Sequence, residues 1–206
     1  MSQARSSPRV ARRRAAASTQ RPRRARARRR LPPASATPHA CVVLAVDTAE
    51  ISGWCGITGK DEFLAFGEAD TLDGPALRYI VRWALSHAER RGLSLILVLE
   101  AAWGGPAWVL VGLGAARERW LNAWRLEGQA MSRVVSVQPS EWRARVLGPG
   151  WAKAKRELVR PHEQAIAAAT VGQPVRGDEA PAILIARWAL RCAKVARVLP
   201  VARRRR

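Results

Sequence analysis

Apolar residues fall into two kinds of run along this chain. The first kind is continuous. Cys41-Val42-Val43-Leu44-Ala45-Val46 has no polar alternation and is rich in β-branched residues, which predicts a strand buried on both faces. Leu93 to Leu99, apolar except for Ser94 and too short for a stable helix, predicts a second such strand. Each run stops at an acid, Asp47 in the first and Glu100 in the second. Between them, Trp54–Ile57 and Glu62–Gly67 are set off by turn residues at Glu50–Gly53 and Gly59-Lys60-Asp61, and predict two further strands of an antiparallel meander. Val134–Val137 is a short fifth strand.

The second kind of run is periodic. Leu77, Ile80, Val81, Ala84, Leu85 and Ala88 recur at helical spacing between Gly74 and Arg91, with Arg78, Arg82 and Arg90 on other faces. Further helices are expected at about 107–127, 140–147, 151–170 and 178–198. Pro161 should kink or split the fourth of these. The order β-β-β-α-β-α-β-α-α-α describes an α/β domain, a mixed sheet with helices on both faces.

Charge divides the chain differently from hydropathy. Twelve arginines and no acid lie in Met1–Ala40, and with Arg203–Arg206 they account for all but four of the net charge of +20. The Arg, Pro, Ser and Ala composition of residues 1–40 cannot bury a core, so a disordered basic arm is expected there, ended by Leu31-Pro32-Pro33 and the small residues after it. One domain should occupy 41–199, followed by a basic tail at 200–206. Polycationic arms neutralise phosphates and release counterions, so their DNA binding is salt-sensitive and blind to sequence. An Arg-rich, acid-free start also has the composition of an organellar transit peptide, a reading ranked below the DNA arm because its arginine blocks are too dense for a clean amphipathic helix.

Cys41, Cys55 and Cys192 are widely spaced and form no C-x-x-C pair, so they are expected to act as small hydrophobes in a reducing compartment. No run of 18 apolar residues argues for a membrane partner.

The candidate chemistry lies in the acids. Two-metal phosphodiester cleavage needs carboxylates that hold two hard cations ~3.5–4 Å apart on the attacking and leaving oxygens. Asp47 and Glu100 each end a central strand, where α/β sheets place their sites. Taken singly, Asp47 also suits a turn and Asp178 an ordinary helix N-cap. Glu100, at the end of so apolar a strand, needs a cation or donor to compensate its desolvation.

Four segments in order resemble the RuvC family of Holliday junction resolvases, in the RNase H-like superfamily. They are Val46-Asp47-Thr48 leading to Ser52-Gly53-Trp54; Leu99-Glu100-Ala101-Ala102-Trp103 followed by Leu113-Gly114-Ala115-Ala116-Arg117; Gly148-Pro149-Gly150-Trp151-Ala152-Lys153-Ala154-Lys155; and Asp178-Glu179-Ala180-Pro181-Ala182-Ile183. Together they cover about 150 residues. The resemblance implies an RNase H-like fold, dependence on Mg²⁺ or Mn²⁺ with two ions per active site, a homodimer, and resolution of four-way DNA junctions by paired nicks. It matches Asp47, Glu100 and Asp178 to the family's metal-binding, catalytic acids, and it implies a cytoplasmic protein of bacterial or phage origin. Where the family carries a fourth acid or a histidine, this chain has Pro181. Glu179 is the nearby substitute metal ligand, although an adjacent helical position points about 100° away.

Four further residues are candidates for binding DNA. Lys153, Lys155 and Arg156 follow a Gly-Pro-Gly turn at a helix start, which favours phosphate, though a solvated helix face has the same composition. Trp103, beside Gly104-Gly105-Pro106, matches an aromatic that the family places near the junction centre. Pro181 motivates the rival reading, a non-catalytic nucleic-acid-binding protein on a degenerate RNase H-like scaffold. A nuclease acting on flaps or forks is a variant of the first reading. An actin-like kinase shares the opening strand and hairpin but needs a second lobe.

Removing Met1–Ala40 is expected to leave the melting temperature unchanged, weaken junction binding, and flatten its salt dependence by about 0.9 in log–log slope for each phosphate the arm no longer neutralises. A binding titration at several salt concentrations checks this; an unchanged slope contradicts the arm assignment.

Overall fold

The computed structural model describes residues 41–102 and 105–198. The two basic ends and Trp103 lie outside the described residues. Five strands form one sheet: β1 (Cys41–Asp47), β2 (Ile51–Thr58), β3 (Phe63–Asp70), β4 (Ser94–Glu100) and β5 (Val134–Val137), in the order β3-β2-β1-β4-β5. The β1-β2-β3 meander is antiparallel, while β4 runs parallel to both β1 and β5.

The sheet is covered on both faces, which explains the two continuous apolar runs. Val42, Leu44 and Val46 of β1, with Leu95, Leu97 and Leu99 of β4, pack against α1 (Gly74–Arg90) and α2 (Ala107–Leu126), where Trp120 and Trp124 are fully buried. The alternate residues Cys41, Val43, Ala45, Ile96 and Val98 face α3 (Pro139–Val146), α4 (Arg156–Val171), α5 (Glu179–Ala189) and α6 (Ala193–Val198). Burial pushes the Cys41 thiol up to about 12 and that of Cys55 higher still, so both behave as the small core hydrophobes expected. No helix among the described residues is long and apolar enough to cross a membrane.

β2 begins at Ile51, within the expected turn, β3 runs on to Asp70, and the helices differ from expectation in three respects. The fourth helix begins at Arg156, because Pro149–Trp151 form a separate 3-10 turn whose indole stacks on His162 at 4.6 Å. It then passes through Pro161 unbroken. The proline lies six residues into the helix, so the hydrogen bond it forgoes is one at the helix start, while Val159, Glu163 and Ala167 keep the inner face seated on the core. The last helix is two, α5 and α6, separated where Arg191 and Cys192 bond back three residues and tighten the turn. No glycine or proline marks that break.

The start of α5 rests directly on β2. Gly53, opposite Asp47 in the β1–β2 ladder, permits the contact, because a Cβ there would collide with the carbonyl oxygen of Asp178. Gly53→Ala is therefore expected to destabilise the fold by about 3 kcal/mol through overpacking against backbone. Urea unfolding of the two proteins measures it; a change below about 0.5 kcal/mol, within the range of neutral surface substitutions, would mean that α5 is free to shift.

Candidate active site

The site follows from strand register. β1 and β4 are parallel neighbours aligned through Val46 and Leu99, so the next residues, Asp47 and Glu100, lie side by side where the strands end. Both continue the set that faces α3, α4 and α5. The Thr48 hydroxyl donates to the Glu100 carbonyl at 2.8 Å and ties the two strand ends together.

The two carboxyl groups lie within hydrogen-bond reach of each other, a pairing that a cation between them would relieve. Burial, above all, and then the charge and contact of Asp47, hold the Glu100 carboxyl well above the ordinary carboxylate range. The Trp142 indole N–H opposes this by donating to Glu100 Oε1 at 2.6 Å, as does the positive charge of Arg143. Trp142 is fully buried and is delivered by α3. That helix starts on a capping box of Gln138 and Glu141, and Lys194 of α6 donates to Glu141 at 2.7 Å.

Glu163 of α4 joins the site. It is 1% exposed, accepts a hydrogen bond from Arg143 Nε at 2.8 Å, and is pushed up by burial and, more weakly, by Asp47, against the pull of Arg143 and Arg156. Asp47, Glu100 and Glu163 line one cleft of about 170 Å³ together with Arg143, Arg156, Arg160 and Pro181. A larger hollow of about 540 Å³ between α1 and α2 has no carboxylate among its lining residues.

The other expected site residues are placed differently. Asp178 stands at the start of α5 but makes no capping bond; it is held by the guanidinium groups of Arg160 and Arg156, the latter at 3.5 Å. Its carboxylate thus sits beside the cleft behind two of the arginines that line it. Glu179 turns to the backbone, accepting the Arg176 N–H at 2.6 Å, and does not line the cleft. Pro181 does line it, offering no donor atom. Lys153 and Lys155 are exposed just before α4, and Arg156 opens the helix toward the cleft. Among the described residues no three His, Cys, Asp or Glu side chains are close enough together to form a metal-binding group.

Glu163, Arg143 and Arg160 line the cleft without having been singled out by the sequence, and Trp142, which donates to Glu100, was not singled out either. A signal existed for the first: Glu163 falls midway between Val159 and Ala167, four residues from each, an acid on the apolar stripe of its helix. Arg143 and Trp142 belong to a short helix whose facing could not be read from eight residues.

No protein-family model matches the chain, and no curated protein matches it by sequence. Solved structures do. RuvC of Thermus thermophilus bound to a Holliday junction substrate superposes with a TM-score of 0.53 at 14% identity, covering 76% of this chain and 95% of that one. The T. thermophilus RuvC structure gives 0.51 at 18% identity, with the same coverage. The yeast mitochondrial Holliday junction resolvase Ydc2 gives 0.41 at 13% identity, covering 80% and 82%.

Asp47→Asn is expected to stabilise the protein in the presence of EDTA. It removes one of two neighbouring carboxyl groups and provides an amide that can donate to Glu100. For a chain this size the melting temperature should rise, by about 2–4 °C for each kcal/mol gained. A fall would mean that the nearby arginines stabilise the Asp47 charge more than Glu100 opposes it. With its five-stranded mixed sheet, its helices on both faces and these structural matches, the chain is built on the RuvC form of the RNase H-like fold.

Proposed function

We propose that this protein is a metal-dependent endonuclease acting on branched DNA, with the four-way junction as its substrate and paired nicks by a homodimer as its mode of cutting. The observation that carries the reading is the contact between Asp47 and Glu100 at the ends of adjacent parallel strands, on a RuvC-type fold and beside an arginine-lined cleft. Like charges so placed weaken a fold unless they bind something, and hard carboxylate oxygens suit Mg²⁺ or Mn²⁺. The T. thermophilus RuvC that shares this fold is in complex with a Holliday junction substrate, which supports the choice of DNA.

In this reading Asp47 and Glu100 would hold the cation, and Asp178 anchors Arg156 and Arg160 beside the cleft. The cation, when bound, supplies Lewis-acid charge to the scissile phosphate and acidifies a water. One P–O ester bond breaks as the water oxygen bonds to phosphorus; the water releases a proton and the leaving oxygen takes one up. Trp142 keeps the Glu100 carboxylate oriented through its N–H, and Arg143 keeps Glu163 in place. Arg156, Lys155 and Lys153 extend the positive surface from the cleft along the start of α4, as a phosphate track requires. The apolar first half of α2 supports dimerisation: Trp108 and Val111 are 76% and 71% exposed there, and a second copy of the helix would cover them.

The alternative is a non-catalytic DNA-binding protein on the same scaffold. It is favoured by Pro181, which offers the cleft no ligand, and by the arginines that engage Asp178.

A cleavage assay on a four-way junction and on linear duplex, with Mg²⁺, Mn²⁺ or EDTA, separates the two. Asp47→Asn is expected to abolish cutting, by at least about a hundredfold, while junction binding persists in EDTA. Cutting near the wild-type rate by Asp47→Asn removes the assignment of the site. Tight junction binding by the wild type without cutting in either metal favours the alternative.

A further inference from the structure

We infer that this site works with a single divalent cation and that the Arg160 guanidinium supplies the second positive charge, facing the scissile phosphate from the Asp178 side of the cleft. The inference rests on the functional reading above and departs from the two-ion arrangement that the family resemblance implies.

A second cation would need its own ligands, and the structure has committed them elsewhere. Asp178 is the acid positioned for that role, and two guanidinium groups hold it. Pro181, one turn further along α5, lines the cleft with carbon alone. Glu179 is occupied by the Arg176 backbone N–H. Glu163 is buried against Arg143.

Charge leads to the same conclusion. Glu163 and Asp178 are each matched by an arginine, whereas Asp47 and Glu100 accept no arginine hydrogen bond among the described residues. Those two carboxylates balance one divalent ion. With that ion, the three cleft carboxylates, Asp178 beside them and the arginines Arg143, Arg156 and Arg160 carry one net positive charge, equal and opposite to a phosphodiester's. A second ion would raise the excess to three in a partly buried cleft, where unbalanced charge is costly.

The Arg160 guanidinium lies against Gly177, where a Cβ would come within 2.8 Å of Nη2. Arg160 lines the cleft with its side chain 40% exposed, in reach of a ligand yet anchored at one end by Asp178. A guanidinium so anchored retains N–H groups for phosphate oxygens, which a planar fork addresses two at a time.

Calorimetric titration of the full chain with Mn²⁺, without DNA, tests the count, and single-turnover cleavage of a four-way junction tests the charge. The wild type is expected to bind one Mn²⁺ per chain. Arg160→Met should bind one Mn²⁺ at undiminished affinity yet cut at least about a hundredfold more slowly, the usual loss when one donor to a developing negative charge is removed. Arg160→Lys, which keeps the charge but not the fork, should melt as the wild type does and cut at an intermediate rate. Two Mn²⁺ per chain in the wild type, or Arg160→Met cutting at the wild-type rate, overturns the inference and leaves the metal-dependent reading standing. If Arg160→Met fails to fold while Arg160→Lys cuts at the full rate, Arg160 is structural and the inference is again overturned. Absence of any Mn²⁺ uptake, with unchanged behaviour of Asp47→Asn, removes this inference together with the functional reading beneath it.

Discussion

Everything distinctive about this chain depends on the parallel pairing of β1 with β4. The pairing buries two apolar strands on both faces and, one residue past their aligned ends, brings the carboxyl groups of Asp47 and Glu100 into contact. The core therefore pays for the site: the hydrophobic runs that stabilise the sheet also force two acids together in a poorly hydrated place. Slipping the register of β4 by one residue would relieve that contact, but it would turn Ile96 and Val98 toward α1 and α2 and Leu95, Leu97 and Leu99 toward α4 and α5. Packing on both faces holds the acids where electrostatics alone would separate them.

The surrounding groups divide into those that satisfy this pair and those that satisfy each other. Trp142 donates to Glu100, and Thr48 joins the two strand ends through the Glu100 carbonyl. Around them Arg143 pairs with Glu163, and Arg156 and Arg160 pair with Asp178. The second group leaves the cleft rich in arginine but keeps its net charge low. A cleft lined by Arg143, Arg156 and Arg160 suits an anionic ligand.

Strands β1 and β4 were legible because burial on both faces leaves an unbroken apolar run, and α1 because burial on one face leaves a 3.6-residue period. Asp47 and Glu100 were legible for the same reason: a charged residue that ends such a run must sit at the margin of the core. Pro161 was read as a break because proline removes a helix hydrogen bond, yet α4 is continuous, since its buried face outweighs one missing bond in its first turns. The division between α5 and α6 carried no sequence mark at all.

Partnership was beyond the reach of the sequence. Asp178 and Glu179 look equally suited to a ligand or a cap, and which does what depends on Arg160, eighteen residues away along the chain, and on Arg176. Glu163 reaches the cleft because α4 packs beside α5, the helix that lies on β1, β2 and β4, a matter of helix packing. The sequence by itself determined the alternation of buried strands and helices, the two strand-end acids and the basic arms, since each is a local consequence of hydropathy or charge. Tertiary structure alone decided which carboxylates meet, which are neutralised by arginine and which face the cleft, because Coulomb and hydrogen-bond energies depend on distances that only packing sets.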